Sequence, residues 1–277
     1  MTRSGANTDF CNEKRRVPLM PIWSSIRTQL LSMTILLCLW QLLCWQLPFS
    51  PTGGAVVDSQ LLPSPLRVAQ VMWQEWQSGE LAYHLQATLL RVAIAFSVSM
   101  LLGSVLGVWM GLNAGLNRWL DPILVFFLNI PALVVIILFY IWMGMTEFAA
   151  IAAVVMNKVP NVVVTLRQGT WSLDTRYRAL TQVYRISRFR QMKEVILPQL
   201  APYLLVSTRS GVALIWKIVL VVELLGRSEG VGFQLHLAFQ MFDVTMILAY
   251  SLAFILIVQA IEWLLLQPWE KYQSRWR

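Results

Sequence analysis

Six separate apolar runs, each long enough to cross a lipid bilayer, dominate this sequence and restrict what it can fold into. A helix crossing the hydrocarbon core needs about 20 apolar residues. The runs fall at about 28–47, 90–111, 122–143, 147–166, 203–225 and 244–266. The bulk composition agrees. Of 277 residues, 57% are hydrophobic and 13% are charged, with a mean hydropathy of +0.60. A soluble domain carries about 25% charged residues. The expected fold class is therefore an all-α membrane protein with six transmembrane helices.

Charge placement orients those spans. With the N-terminus inside, the inner segments hold Arg3 to Arg27, Arg118, a cluster from Arg167 to Lys193, and Lys271, Arg275 and Arg277. The outer segments hold only Arg67 and Arg227, with Arg91 at a boundary. The reverse orientation would invert the positive-inside rule, so both termini are expected to be cytoplasmic. The net charge of +8 then reflects cytoplasmic loops rather than nucleic-acid binding. The run from Gln29 to Leu47 is too long for the apolar core of a signal peptide and reads as an uncleaved first span. Pro48, Pro51, Gly53 and Gly54 end that span, and Asp121-Pro122 is expected to open the third, where proline suits a first helical turn.

Two segments between spans carry patterns of their own. Ser64–Gly79 places Leu66, Val68, Ala69, Val71, Met72, Trp73 and Trp76 as in a short helix lying at the outer membrane surface. The inner loop at about 167–201 interleaves Arg176, Arg178, Arg185, Arg188, Arg190 and Lys193 with Leu180, Val183, Ile186, Phe189, Met192, Val195 and Ile196. Apolar steps of three and four residues predict one or two amphipathic helices, resting on anionic lipid or docking a cytoplasmic partner.

No catalytic constellation emerges. None of Lys14, Lys158, Lys193, Lys217 and Lys271 follows a glycine, so the chain has no phosphate loop of the GxxxxGK[ST] form. Gly230-Val231-Gly232 lacks the third glycine of a dinucleotide fingerprint and reads as a turn. Cys11, Cys38 and Cys44 show neither metal-ligand spacing nor a disulfide pattern, and His84 and His236 read as structural or solvated. No metal site is expected. Gly103, Gly107, Gly111 and Gly115 recur every four residues on one face of the second span and its inner end, a spacing that lets helices pack closely in lipid. Charges within spans point most directly to function, because each is costly in hydrocarbon. They are Lys158 in the fourth span and Arg209, Lys217 and Glu223 in the fifth. They are candidates for lining a translocation path. The plainer alternatives are snorkelling for Arg209 and an ion pair between Lys217 and Glu223.

From Leu62 to Trp269 the order of short motifs resembles the permeases of ABC importers for nitrate, sulfonate, taurine and bicarbonate. The matching pieces are Leu62-Pro63-Ser64-Pro65, Gly79-Glu80-Leu81, His84-Leu85, Thr88-Leu89-Leu90-Arg91-Val92, Leu120-Asp121-Pro122 and Asn129-Ile130-Pro131-Ala132. After them come Val195-Ile196-Leu197-Pro198, Ala201-Pro202, Glu223-Leu224-Leu225 and Gly230-Val231-Gly232. The resemblance implies the type I importer permease fold. It also implies a bacterial inner-membrane location, a second permease copy or paralogue, two cytoplasmic ATPase subunits that bind the ATP and Mg, and an external solute-binding protein. Small anions are the solutes it suggests.

In that family the cytoplasmic loop docks on the ATPase through a Glu-Ala-Ala...Gly...Leu-Pro pattern. Here Ala179, Leu180 and Thr181 stand at its start, Arg185 with Ile186 and Ser187 at the glycine corner, and Leu197-Pro198 at its end. An arginine where glycine is favoured is expected to need a different backbone or a wider corner. The implied organisation is a cytoplasmic segment 1–27, a first span and start of the outer loop 28–61, a permease core 62–267, and a tail 268–277. A secondary transporter or channel acting alone is the rival, but no inverted repeat is visible in the spans.

Overall fold

The computed structural model describes residues 62–174 and 184–266, together with residues 31, 34, 35 and 38–42. The last group is helical and belongs to a separate unit ending at Asp58. The remainder of the expected span 28–47 lies outside the described residues. The second unit holds eight helices of interest: α1 Pro65–Ser78, α2 Glu80–Leu112, α3 Ala114–Asn129, α4 Ala132–Met143, α5 Glu147–Trp171, α6 Leu197–Gly226, α7 Val231–Gln240 and α8 Val244–Ile261. No strand occurs among the described residues.

Side-chain caps fix several helix starts by accepting amide hydrogens that the helix leaves unpaired. The Ser64 hydroxyl accepts from Arg67 N, with Pro65 in the first turn. The Asn113 side chain accepts from Gly115 N and Leu116 N, Thr146 from Ala149 N, and Asp243 from Met246 N. Gly79, at φ 86°, closes α1 and lets α2 begin one residue later. α1 packs on α8 and buries Val68, while Leu66, Trp73 and Trp76 stay exposed.

Four helices are long and apolar enough to cross a membrane: α2, α5, the uninterrupted helix from Phe189 through α6 to Gly226, and α8 through Leu264. The expected third span differs. α3 and α4 pass that test only together, and they meet at 95°. The cause lies at Ile130-Pro131. Proline has no amide hydrogen and pushes the residue before it to extended backbone, where Ile130 sits at ψ 126°. Nor does Pro122 open a helix, since α3 starts at Ala114 and holds Pro122 in its interior. Gly230-Val231-Gly232, expected as a turn, begins α7.

Contacts give the helix directions. Gly103 lies against Val162, Gly107 against Val163 and Leu166, and Gly111 against Thr170, so α2 and α5 run the same way. Gly169 meets Tyr203 and Gly211 meets Lys158, so α6 runs opposite to α5. α8 runs opposite to α6, with Glu262 beside Arg209 and Phe254 stacked near Trp216. One end of the bundle, where α2, α5 and α8 begin and α6 stops, is capped by α7 and is called the α7 end below.

The glycine stripe sets how closely α2 and α5 approach. A Cβ on Gly107 would sit 2.8 Å from the Val163 carbonyl oxygen and 2.9 Å from Leu166 Cβ. Backbone cannot move aside cheaply there. Gly115 lies beyond Asn113 on α3, and its Cβ position meets only the Asn113 side chain, at 3.4 Å. Gly107→Val is expected to destabilise the bundle by about 1–3 kcal/mol through overpacking, while Gly115→Ala changes stability little. Thermal unfolding of the two variants in detergent checks this contrast, and equal effects would refute it.

Candidate functional site

At the α7 end, five charged side chains from four parts of the chain form one network, buried at Glu223 and Arg91 and partly exposed at Glu147 and Glu229. Arg91 of α2 is its centre. Its Nη1 donates to Glu223 of α6 at 2.6 Å and to the Glu229 carbonyl at 2.9 Å. Its Nε and Nη2 donate to Glu147 of α5 at 2.9 and 2.5 Å. Arg227 reaches the same Glu147 carboxylate at 2.7 Å and also donates to the Met145 carbonyl. The Glu229 carboxylate completes the set, lying 3.6 Å from Arg91 and 3.8 Å from Arg227 and accepting from the Tyr83 hydroxyl.

Glu223 is 0% exposed, so every oxygen lone pair it leaves unmatched is costly. Besides Arg91, it accepts from the Thr88 hydroxyl and from Gly232 N, each at 2.9 Å. Thr88 in turn accepts from Val231 N at 2.8 Å, and His84 Nδ1 accepts from Gly230 N at 3.0 Å. The first amides of α7 are thus capped by side chains of α2 and α6 rather than by a local residue. Acceptance at Nδ1 assigns the His84 hydrogen to Nε2, so the Gln234 amide 2.7 Å away turns its oxygen to accept it. The two glycines are a steric condition of this arrangement. A Cβ on Gly230 would collide with the Glu223 carboxylate, and one on Gly232 with the Leu220 carbonyl.

The sequence-selected charges are separated by the fold. Glu223 pairs with Arg91 and not with Lys217, which overturns the alternative of a Lys217–Glu223 ion pair: residues six apart on one helix lost to a residue on another. Lys158 is 1% exposed, within α5, with its Cε facing Gly211 of α6. Arg209 and Lys217 instead line a groove of about 300 Å³ between α6 and α8, with Trp216, Phe254, Gln259 and Glu262. Glu262 lies 3.7 Å from Arg209, and the Lys217 ammonium lies 5.5 Å from the Trp216 ring centroid. Sequence reasoning selected neither Glu262 nor Glu147 and left Arg91 at a boundary. The visible signal was acidic residues at the edges of apolar runs.

A third feature lies at the opposite end. Ala179, Leu180 and Thr181 fall outside the described residues. Arg185 does not take a different backbone: it stands at φ 49°, the left-handed region that glycine favours. The Ser187 carbonyl accepts from Gln191 N at 2.9 Å, and a short turn, Arg188–Gln191, leads into a π-helical segment, Met192–Ile196. Pro198, which donates no amide hydrogen, follows, and Leu197 N bonds Met192 O five residues back. Tyr184 and Phe189 project, at 73% and 80% exposure, and Leu197 is exposed as well. Arg167 closes the same end through Asp121 and Asn117 of α3 and lies over the Trp171 ring.

Comparison with known proteins gives consistent results. Residues 99–265 match the family described as binding-protein-dependent transport system inner membrane component. The chain is 30% identical over 210 residues to the putative aliphatic sulfonates transport permease protein SsuC of Bacillus subtilis, covering 74% of this chain and 72% of that one. It is 25% identical to the nitrate import permease protein NrtB of Synechocystis sp., covering 79% and 80%. It is 28% identical to the taurine transport system permease protein TauC of Escherichia coli, covering 70% and 72%. In fold it is similar to a chain of a crystal structure of an amino acid ABC transporter with histidines, at a TM-score of 0.58 and 15% identity, over 75% of this chain and 97% of that one.

Breaking the Arg91–Glu223 pair leaves a buried carboxylate short of its cation, so Arg91→Met is expected to cost about 3–5 kcal/mol. Glu147→Gln, at a half-exposed carboxylate, costs about 1 kcal/mol or less. Thermal unfolding in detergent separates them. Equal small losses would show that the network contributes little.

Proposed function

The chain belongs to the family of binding-protein-dependent transport system inner membrane components, and from that membership we propose that it is the permease subunit of an ATP-driven importer for a small anion. It spans the bacterial inner membrane with six helices and both termini inside. A second permease copy or paralogue completes the path, an external binding protein delivers solute at the α7 end, and two ATPase subunits dock at the other. The bond chemistry of ATP hydrolysis belongs to those subunits. The names of the relatives, for sulfonates, nitrate and taurine, support an anionic solute.

One observation carries this reading. The helix from Phe189 to Gly226 has 38 residues, runs from the exposed loop to the far end of the bundle and ends in the Glu223 network. At 1.5 Å per residue it is about 57 Å long, enough to cross the bilayer and project beyond it. Displacement of the loop by an ATPase is therefore delivered to the opposite face by one helix, whose amide ladder lacks donors only at Pro198 and Pro202. The exposed Tyr184, Phe189 and Leu197 give a protein partner apolar knobs to grip, and Arg185 and Arg190 give it charge. A transporter working alone has no use for such a handle.

Lys217 lies on α6 about 14 Å from its Gly226 end, at a depth where a charge facing lipid costs about 2.5–3.5 kcal/mol. It is exposed, on a strip of α6 with Val206, Ser210, Leu214 and Val221 that no described helix covers. Such a strip fits the face turned to the second permease and the solute path. Arg209 shares that groove. Lys158 and Glu223 sit on other faces, and Glu223 serves the network.

Affinity purification of this chain is expected to bring down an ATP-hydrolysing subunit. Arg185→Glu weakens that association about tenfold through charge repulsion, whereas Arg185→Gly, which relieves the left-handed backbone, preserves it. Purification without any ATPase would refute the permease reading. Unchanged association in Arg185→Glu would remove the loop from the docking surface.

A further inference from the structure

We propose that the groove between α6 and α8 is an anion-binding subsite within the permease, with Lys217 as its charged contact and Glu262 as a competing carboxylate that keeps binding weak. This deepens, and rests on, the permease reading above. It assigns a solute contact to this chain itself.

Four observations converge. First, Lys217 has no ion-pair partner among the described residues, although it lies at mid-membrane depth. Its ammonium lies over the face of Trp216, 5.5 Å from the ring centroid. An ammonium on an aromatic face retains hydrogens directed elsewhere, and in a place poor in water those need an acceptor. Second, the groove is real space, about 300 Å³ bounded by α6 and α8. That is ample for a hydrated oxyanion of nitrate or alkylsulfonate size. Third, its walls combine apolar Phe254 and Trp216 with few polar groups, which is how small-ligand sites orient a charged head. Fourth, the Arg209–Glu262 pair is long, 3.7 Å, and both side chains are partly exposed to the groove. Glu262 therefore brings negative charge into the same groove that Lys217 lines.

These features suit a transporter. A permease that held its solute tightly would not release it, so a cation alone would be a trap. Glu262, beside Arg209 in the same groove, lowers the affinity that Lys217 creates. It also begins a π-helical segment, Glu262–Leu266, a backbone form that often marks functional positions. A neutral molecule of the same shape gains from Lys217 only a hydrogen bond to a neutral acceptor, and binds the subsite more weakly by charge, not size.

The test uses the complete importer assembly, purified without nucleotide and without binding protein. Equilibrium dialysis with radiolabelled methanesulfonate measures binding, and unlabelled nitrate and dimethyl sulfone compete. Dimethyl sulfone has the shape of methanesulfonate without its charge. The expected result is saturable binding displaced by nitrate and not by the sulfone. Lys217→Gln weakens it about tenfold or more, and Lys217→Arg restores it to within about threefold. Glu262→Gln tightens it severalfold, a gain that misfolding cannot produce. Absence of saturable binding in the wild-type assembly, equal competition by the sulfone, or a loss rather than a gain in Glu262→Gln would each overturn the proposal. An assembly that retains its ATPase yet binds no anion refutes the subsite alone. A chain that retains no ATPase refutes the permease reading first.

Discussion

A carboxylate with no exposed surface, Glu223, held by an arginine of another helix, is the interaction on which the α7 end depends. Neither ion is tolerable there alone. Arg91 satisfies Glu223 and Glu147 together, so three helices meet where their charges require it. The cap on α7 follows from the same requirement. Its amides turn to Thr88, His84 and Glu223 because Gly230 and Gly232 leave room for nothing but backbone. A loop that would otherwise be free becomes a rigid corner continuous with α6. The far terminus of the long helix is thereby anchored at the α7 end.

The other structural condition is close packing without a hydrophobic driving force between helices. In lipid, apolar side chains gain little by leaving one apolar surface for another, and small residues that admit dense contact replace that drive. Gly103, Gly107 and Gly111 serve that purpose between α2 and α5. The parallel pair of α2 and α5 then forms a firm block against which α6 lies. Firmness on one side and an exposed strip on the other divide α6 into a packed face and an exposed face. Lys217 stands on the exposed one.

Much of this was legible in the sequence, and what was not has physical reasons. The helices spanning the second, fourth, fifth and sixth expected runs, and the α1 helix with its Ser64 and Gly79 boundaries, follow from local pattern. The motif pieces that suggested the family, Gly79-Glu80, His84, Thr88 to Arg91, Glu223 and Gly230 to Gly232, converge in one network, a purpose that their spacing did not reveal. Pairing across 132 residues, as between Arg91 and Glu223, leaves no periodic trace. Lys217 was offered as an alternative partner for Glu223 because both fall in one span, and a reading of one helix at a time does not see Arg91 on another. Pro131 was seen as part of a motif, but its 95° bend needs the backbone conformation of Ile130 to be known. Arg185 shows the reverse error. Residue preference argued for an altered corner, yet the surroundings hold an arginine at φ 49°.

The central claim is that this chain supplies a passive path whose opening is driven from outside it, through one continuous helix. Uptake of a labelled small anion into proteoliposomes measures that directly, with the chain reconstituted alone and together with its ATPase and binding protein. The account predicts uptake that needs the ATPase, the binding protein and ATP on the side of the Tyr184–Leu197 loop, with no flux through the chain alone. Concentrative uptake by the chain alone, driven by an ion gradient, would contradict it.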